Sequence, residues 1–241
     1  MIIGVNNIDV FKIFFDVIYE DAETIEFKCS PNDIRISLLD KSHVSFYEAN
    51  FDNTFFDLFD VDGVESILLY TDDLVKILKT ANKKDYLTLS SDESRVVAKF
   101  ERDGNSRVFE LVQSADFMDS PAPPTIDCPC EVKVSFDSLI QSLKDLDIMK
   151  TGTIHMVCNG ENLLISSETD ASMKYQNSIS GEMTGVADAH YTINFIKKLL
   201  KFKGIDNEII LKYGDDMPLS WAVNGDGISI NGLIAPRIVE E

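Results

Sequence analysis

No stretch of this sequence approaches the roughly 18 apolar residues that a membrane-spanning helix requires. The opening Met1-Ile2-Ile3-Gly4 has no basic segment and no small-residue cleavage site, so a soluble, intracellular chain without a secretory leader is expected. Cysteine is scarce, four in 241 residues. Cys29 and Cys158 lie in alternating apolar stretches and are expected as buried thiols. Cys128-Pro129-Cys130 is a C-x-C with no second pair and no nearby histidine, which argues against zinc. The three histidines, His43, His155 and His190, are scattered. There is no G-x-x-x-x-G-K-[ST], no G-x-S-x-G and no H-E-x-x-H, so no phosphate loop, serine nucleophile or zinc-protease motif is available. Asp57, Asp60, Asp62 and Glu65 suggest a calcium loop, but no glutamate stands at the twelfth position and Gly63 is misplaced. The expectation is no catalytic residue, no metal and no cofactor, so not an enzyme.

Positive charge is also short. Twenty-two basic residues face 41 acidic ones, a net charge of −19, which alone argues against a polyanionic partner. Hydrophobic residues make up 44%, enough for a sizeable core. The length suits two domains.

Four of the seven prolines (Pro121, Pro123, Pro124, Pro129) fall in one short run near the midpoint, which is expected to be an extended linker. The halves on either side resemble each other. Phe27–Ser37 lines up with Met156–Ser166, and both read as strand, tight turn, strand. Tyr70–Leu78 lines up with Tyr191–Leu199. Two matching blocks in the same order point to an internal duplication. Each half carries two apolar helical stripes: Phe11, Phe14, Phe15, Ile18 and Leu74, Ile77, Leu78, Ala81; then Phe136, Leu139, Ile140, Leu143 and Ile196, Leu199, Leu200. Short alternating runs such as Ile34–Leu38, Tyr86–Leu89, Val96–Phe100 and Arg107–Val112 lie between the helices. The expected class is α+β, two similar domains of antiparallel sheets with two helices each. Expected boundaries are 1–117, a linker over 118–131, and 132–241.

The basic residues are not spread evenly. Lys76, Lys79, Lys83 and Lys84 cluster around the second helix, and Lys197, Lys198, Lys201 and Lys203 around the fourth, with no acidic residue among them. Those eight leave fourteen basic residues to face all 41 acidic ones. One lysine-rich helix would be an ordinary solvated face. Two at equivalent repeat positions suggest a shared role in touching phosphates without reading base sequence.

Four further stretches carry a family resemblance: Leu39-Asp40-Lys41-Ser42-His43-Val44, Ser120-Pro121-Ala122-Pro123-Pro124-Thr125-Ile126, Gly214-Asp215-Asp216-Met217-Pro218-Leu219, and Leu233-Ile234-Ala235-Pro236-Arg237-Ile238. In this order they resemble the proliferating cell nuclear antigen family of DNA sliding clamps, most closely its archaeal members. The opening Ile2–Asn7 departs from the family's usual first strand.

The resemblance implies the DNA clamp fold, with three subunits making a pseudo-sixfold ring whose helices line a hole for duplex DNA. It implies DNA contact by Lys12, Lys76, Lys79, Lys83, Lys84, Lys144, Lys150, Lys197, Lys198, Lys201 and Lys203. A peptide pocket is implied at Leu39, His43, Val44, Phe46, Ile126, Pro218, Leu233, Ile234, Ala235 and Pro236. Its implied partners are DNA polymerase, clamp loader, flap endonuclease and DNA ligase, bound through short motifs. Ring closure is implied between the strands 107–113 and 173–179, by Arg107, Phe109, Leu111, Met173, Tyr175 and Ile179, in a homotrimer. The implied location is the cytoplasm, with the nucleoid, in an archaeon and the nucleus in a eukaryote. Three other readings remain: a heterotrimer subunit or monomeric processivity factor, a peptide-binding scaffold without a DNA role, and an acidic metal-dependent enzyme.

Overall fold

The computed structural model describes residues 1–92, 94–115, 122, 124–169 and 173–238. Ser120, Pro121 and Pro123 of the expected linker, and the boundary at 117/118, lie outside these residues. The chain forms two compact units. One comprises Met1–His43, Tyr47–Ala122 and Asn224–Ile230; the other comprises Val44–Phe46, Pro123–Val223 and Asn231–Glu241.

One series of elements is written twice. The first copy runs β1 (Ile2–Val5), α1 (Ile8–Ile18), β2 (Thr24–Cys29), β3 (Asp33–Leu39), β4 (Ser45–Asp52), β5 (Leu58–Asp60), β6 (Glu65–Tyr70), α2 (Thr71–Lys79), β7 (Tyr86–Ser91), β8 (Arg95–Arg102) and β9 (Asn105–Val112). The second runs β10 (Cys130–Ser135), α3 (Phe136–Met149), β11 (Thr153–Cys158), β12 (Asn162–Glu168), β13 (Lys174–Ser180), β14 (Glu182–Thr184), β15 (Ala187–Thr192), α4 (Ile193–Leu199), β16 (Glu208–Tyr213), β17 (Leu219–Gly225) and β18 (Ile228–Ile234). Strand neighbours repeat too: β5-β1-β7-β8-β9 corresponds to β14-β10-β16-β17-β18, and β4-β3-β2-β6 to β13-β12-β11-β15. The expected α+β class with antiparallel sheets is the observed one. The opening residues, which depart from the family pattern, still make a strand, because Ile3 and Val5 are buried and pair with Leu89 and Leu87.

The aligned sequence blocks are the same structural pieces. In the β2–β3 hairpin Ser30 Oγ accepts from the backbone of Asn32 and Asp33. In the β11–β12 hairpin Asn159 Oδ1 accepts from Glu161 and Asn162. Short side chains thus close both turns by the same bond pattern. The helix block is shifted by one residue from its sequence alignment. Thr71 N–H donates to Glu23 O at 2.9 Å and Ile193 N–H to Gly152 O at 3.1 Å, so Thr71 corresponds to Ile193 and not Thr192.

The helices bury the expected stripes. Phe11, Phe14, Phe15 and Ile18 are 0% exposed, and Phe15 stacks on Phe27 with ring centroids 5.8 Å apart. Leu139, Leu143 and Leu146 are the buried face of α3, whereas Ile140 is only half-buried. The helix α2 ends at Lys79, so Ala81, Lys83 and Lys84 lie beyond it; Leu200, Lys201 and Lys203 lie on a 3-10 turn, Leu200–Gly204, that extends α4. Cys29, Cys130 and Cys158 are buried free thiols, and burial pushes the Cys29 and Cys130 thiols up to about 12. No helix of the described residues is long and apolar enough to cross a membrane.

Candidate functional site

Of the lysines expected to meet phosphate, the two on α2 stand where helical periodicity puts them, opposite the buried stripe. Lys76 and Lys79 are exposed, while Leu74 and Leu78 point inward. Charge separation is less complete in space than along the chain. In the first unit Lys76 faces Asp73 at 3.4 Å and Lys83 faces Asp9 at 3.6 Å. Lys79 lies 4.6 Å from the centre of the Tyr19 ring, and Lys12 reaches the Ala81 carbonyl at 3.5 Å. In the second unit Lys197 pairs with Asp147 and Lys203 with Asp137, both aspartates being supplied by α3. Lys198 sits 5.9 Å from the Phe195 ring centre. Lys144 projects from α3 into solvent, and Lys150 closes that helix in the left-handed region, φ 56°. The helices with their 3-10 extension hold eight lysines against seven aspartates, so they are close to neutral while the remaining chain carries the acidic excess. Exposed pairs of this kind hold each cation only weakly, by about 0–1 kcal/mol, and a phosphate can displace the aspartate.

Two strand edges differ from the others. Edge strands β5 and β14 are only three residues long. The edge of β6 is capped by Ser114 N–H donating to Leu68 O, at 2.8 Å. Along β15, Asp216 N–H donates to Asp188 O and Arg237 N–H to His190 O, at 3.1 and 2.7 Å. By contrast, among the described residues β9, with eight residues, pairs only with β8, and β13, with seven, only with β12. Such edges present unpaired N–H and C=O groups to a partner strand.

Both edges are held firmly from behind. Arg107 on β9 donates to the Thr80 carbonyl at 3.1 Å and pairs with Asp85, whose side chain is 2% exposed. Burial raises the Asp85 carboxyl, but the Asn82 backbone N–H and the Arg107 and Arg102 guanidinium groups outweigh it and leave it below the ordinary carboxylate value. Phe109 packs edge-on against Phe100, and Leu111 is buried. On β13, Tyr175 Oη donates to Asp145 Oδ2 at 3.1 Å, Asn177 donates to Ser142 Oγ at 2.8 Å, and Ile179 is buried. Met173, just before β13, is exposed.

The residues expected in a peptide pocket divide by burial. Phe46 and Ile234 are core side chains, 5% and 0% exposed. In the second unit Val44, Ile126, Pro218, Leu233, Ala235 and Pro236 are half-buried. Ala235 N–H donates to Val44 O at 2.8 Å, which fixes the segment after β18 against the start of β4. Gly232 has to be glycine: an added Cβ would fall 2.1 Å from the Phe46 carbonyl oxygen. In the first unit, Leu39 ends β3 and His43 completes a tight turn. Asp40 Oδ2 accepts from Ser42 N–H at 2.9 Å and His43 adopts φ 58°. That turn explains the L-D-x-S-H stretch physically: aspartate closes it and serine supplies the donor.

Sequence reasoning missed one cluster. His155 and His190, scattered along the chain, are directly opposed residues of β11 and β15, and their rings stack at 4.1 Å with 3° between planes. His155 Nε2 lies 2.6 Å from Asp188 Oδ1. Burial first, and then the neighbouring His155, hold His190 below the ordinary imidazole value. Only the pairing of β11 with β15 brings these side chains together, and no local periodicity signals it.

Residues 3–120 match the family described as proliferating cell nuclear antigen, N-terminal domain. A DNA polymerase sliding clamp from Methanothermobacter thermautotrophicus is 29% identical over 243 residues, covering 98% of this chain and 97% of that protein. One from Methanobrevibacter smithii is 28% identical, covering 95% and 94%. The fold matches a crystal structure of a PCNA2–PCNA3 complex from Sulfolobus tokodaii with a TM-score of 0.89 at 20% identity, covering 98% of this chain and 99% of that one.

Proposed function

Since the chain belongs to the proliferating cell nuclear antigen family, we propose that it is a DNA polymerase sliding clamp, a scaffold and not a catalyst. Three copies close a ring by pairing β9 of one subunit with β13 of the next. The helices face duplex DNA through the hole, and Lys12, Lys76, Lys79, Lys83, Lys84, Lys144, Lys150, Lys197, Lys198, Lys201 and Lys203 touch phosphates. Phosphate contacts carry no sequence information, so the ring slides. The acidic excess outside the helices repels DNA from every other surface, leaving the hole as the favourable path. Val44, Ile126, Pro218, Leu233, Ala235 and Pro236 offer an apolar anchor site for short motifs of polymerase, clamp loader, flap endonuclease and ligase.

The observation that carries this reading is the duplicated fold with one lysine-bearing helix at the same place in each copy. Replacing Lys76, Lys79, Lys197 and Lys198 by alanine tests it. Stimulation of a cognate polymerase on primed DNA should be lost while the circular dichroism spectrum stays unchanged. Undiminished stimulation would refute the DNA role and favour a peptide-binding scaffold. A heteromeric ring is the second reading, favoured by the match to a complex of two distinct chains. Co-purification of this chain with a different clamp subunit, and failure to assemble alone, would select it.

A further inference from the structure

We propose that His155, His190 and Asp188 form a binding site for a late first-row divalent cation, Zn2+ being the reference ion. One ligand atom from each of the three lies within 4.8 Å of the others. Tetrahedral zinc with ligand bonds near 2.0–2.2 Å holds its ligand atoms about 3.3 Å apart, so the set closes when the two stacked rings tilt their nitrogens toward one point. All three side chains come from the paired strands β11 and β15 and project on one face, because His190 and Asp188 are two residues apart on β15. Antiparallel pairing fixes their backbones, so the ligands are held by the sheet and not by a loop. Two imidazoles and one carboxylate suit zinc, copper or nickel better than magnesium or calcium, which prefer all-oxygen sets.

The surroundings fit an ion. His155 Nδ1 lies 3.3 Å from Ser166 Oγ on β12. With the metal on Nε2, the ring proton sits on Nδ1 and Ser166 Oγ accepts it, the outer-shell bond that zinc-binding histidines characteristically make. Asp188 is held in turn through its backbone N–H, which donates to Asp215 Oδ1 at 2.9 Å. His155 and His190 line a cavity of about 830 Å³ that Glu168, Lys174 and Arg237 also line. Lys174 is neutralised there by Glu168 at 2.9 Å. The open side leaves room for water or an incoming ligand to complete the coordination.

The fold does not need this cluster. In the first repeat the positions corresponding to His155, His190 and Asp188 are Glu26, Leu68 and Ser66, and the same cross-strand contact is an ordinary Ser66–Glu26 hydrogen bond at 2.5 Å. The same backbone is therefore built without imidazole, and the histidine pair is an addition particular to the second repeat.

The test is Zn2+ titration of the full chain against a chromophoric chelator, with excess Mg2+ present to saturate exposed carboxylates. One Zn2+ per chain is expected. His155→Asn with His190→Asn should abolish it, Asp188→Asn should weaken it, and Ser166→Ala should weaken it about tenfold. Thermal midpoints of each variant check folding, and Asp188→Asn keeps the test valid if the double variant folds poorly. No uptake by the wild-type chain, or equal uptake by the folded histidine variants (an adventitious ion only), would overturn the proposal.

Discussion

The two repeats share a topology but fill it differently. The first is built on phenylalanine: Phe11, Phe14, Phe15, Phe27, Phe51 and Phe56 form a continuous set of ring contacts between α1 and its strands. The second puts Phe136, Leu139, Leu143 and Leu146 on α3 and buries Ser142 among them, and its other large rings are Trp221, Tyr191, Tyr213 and Phe202. Strand order and helix placement therefore follow from periodicity and turn chemistry, which the repeats share, and not from the identity of the core side chains. What differs is available for other uses: Ser142 fastens α3 to β13 through Asn177, a bond that an all-phenylalanine stripe cannot make.

The largest expected effect tests the cores. Phe15→Ala should cost about 3–5 kcal/mol in urea denaturation, with Leu143→Ala costing about 2–5 kcal/mol. A negligible loss for Phe15→Ala would show that the stacked rings are not what holds the first repeat. Next comes the anchor of β9, the nearly buried Asp85 carboxylate between the Arg107 and Arg102 guanidinium groups, where α3 holds β13 by the Tyr175–Asp145 and Asn177–Ser142 hydrogen bonds. Because the folded Asp85 carboxyl lies below its unfolded value, its contribution is present above about pH 4 and is lost as pH falls through the folded value. Asp85→Asn should cost about 1.5–3 kcal/mol at pH 7, and the gap from wild type should close in acid. A gap that stays constant with pH would deny the charge its role.

Smaller still is the helix-cap contrast. Ser135 Oγ accepts from Ser138 N–H at 3.3 Å, whereas Asn7 before α1 makes no side-chain cap bond. Ser135→Ala should cost about 1 kcal/mol and Asn7→Ala much less; equal losses would erase the contrast. The lysine pairs should hardly affect stability, because their partners are exposed. Replacing Lys76 and Lys79, or Lys197 and Lys198, should each lower the salt dependence of DNA binding, by about 0.9 in log–log slope for every lysine that no longer meets a phosphate. If one pair changes nothing, only one repeat's helix meets DNA.

Much of this was legible in the sequence. The stripes of α1 and α2, the hairpin at Cys29–Asp33 with its counterpart at Cys158–Asn162, and the exposed lysines follow from spacing and turn residues alone. What stayed hidden depends on pairing between distant strands. Asp137 and Asp147 beside the α4 lysines, Arg107 on Asp85, and His155 stacked on His190 each need the sheet or helix layer to be assembled first. The α2/α4 alignment slipped by one residue because Tyr70 and Tyr191 look equivalent, while backbone bonding equates Thr71 with Ile193. Phe46 and Ile234 match the family's peptide-binding stretches, yet the sheet uses both as core.

The central claim is that β9 and β13 are complementary edges that close a ring. Native mass by light scattering across a dilution series tests it most directly. The account predicts a species of three times 27.0 kDa, about 81 kDa. A 27.0 kDa species at every concentration would contradict self-closure through these edges.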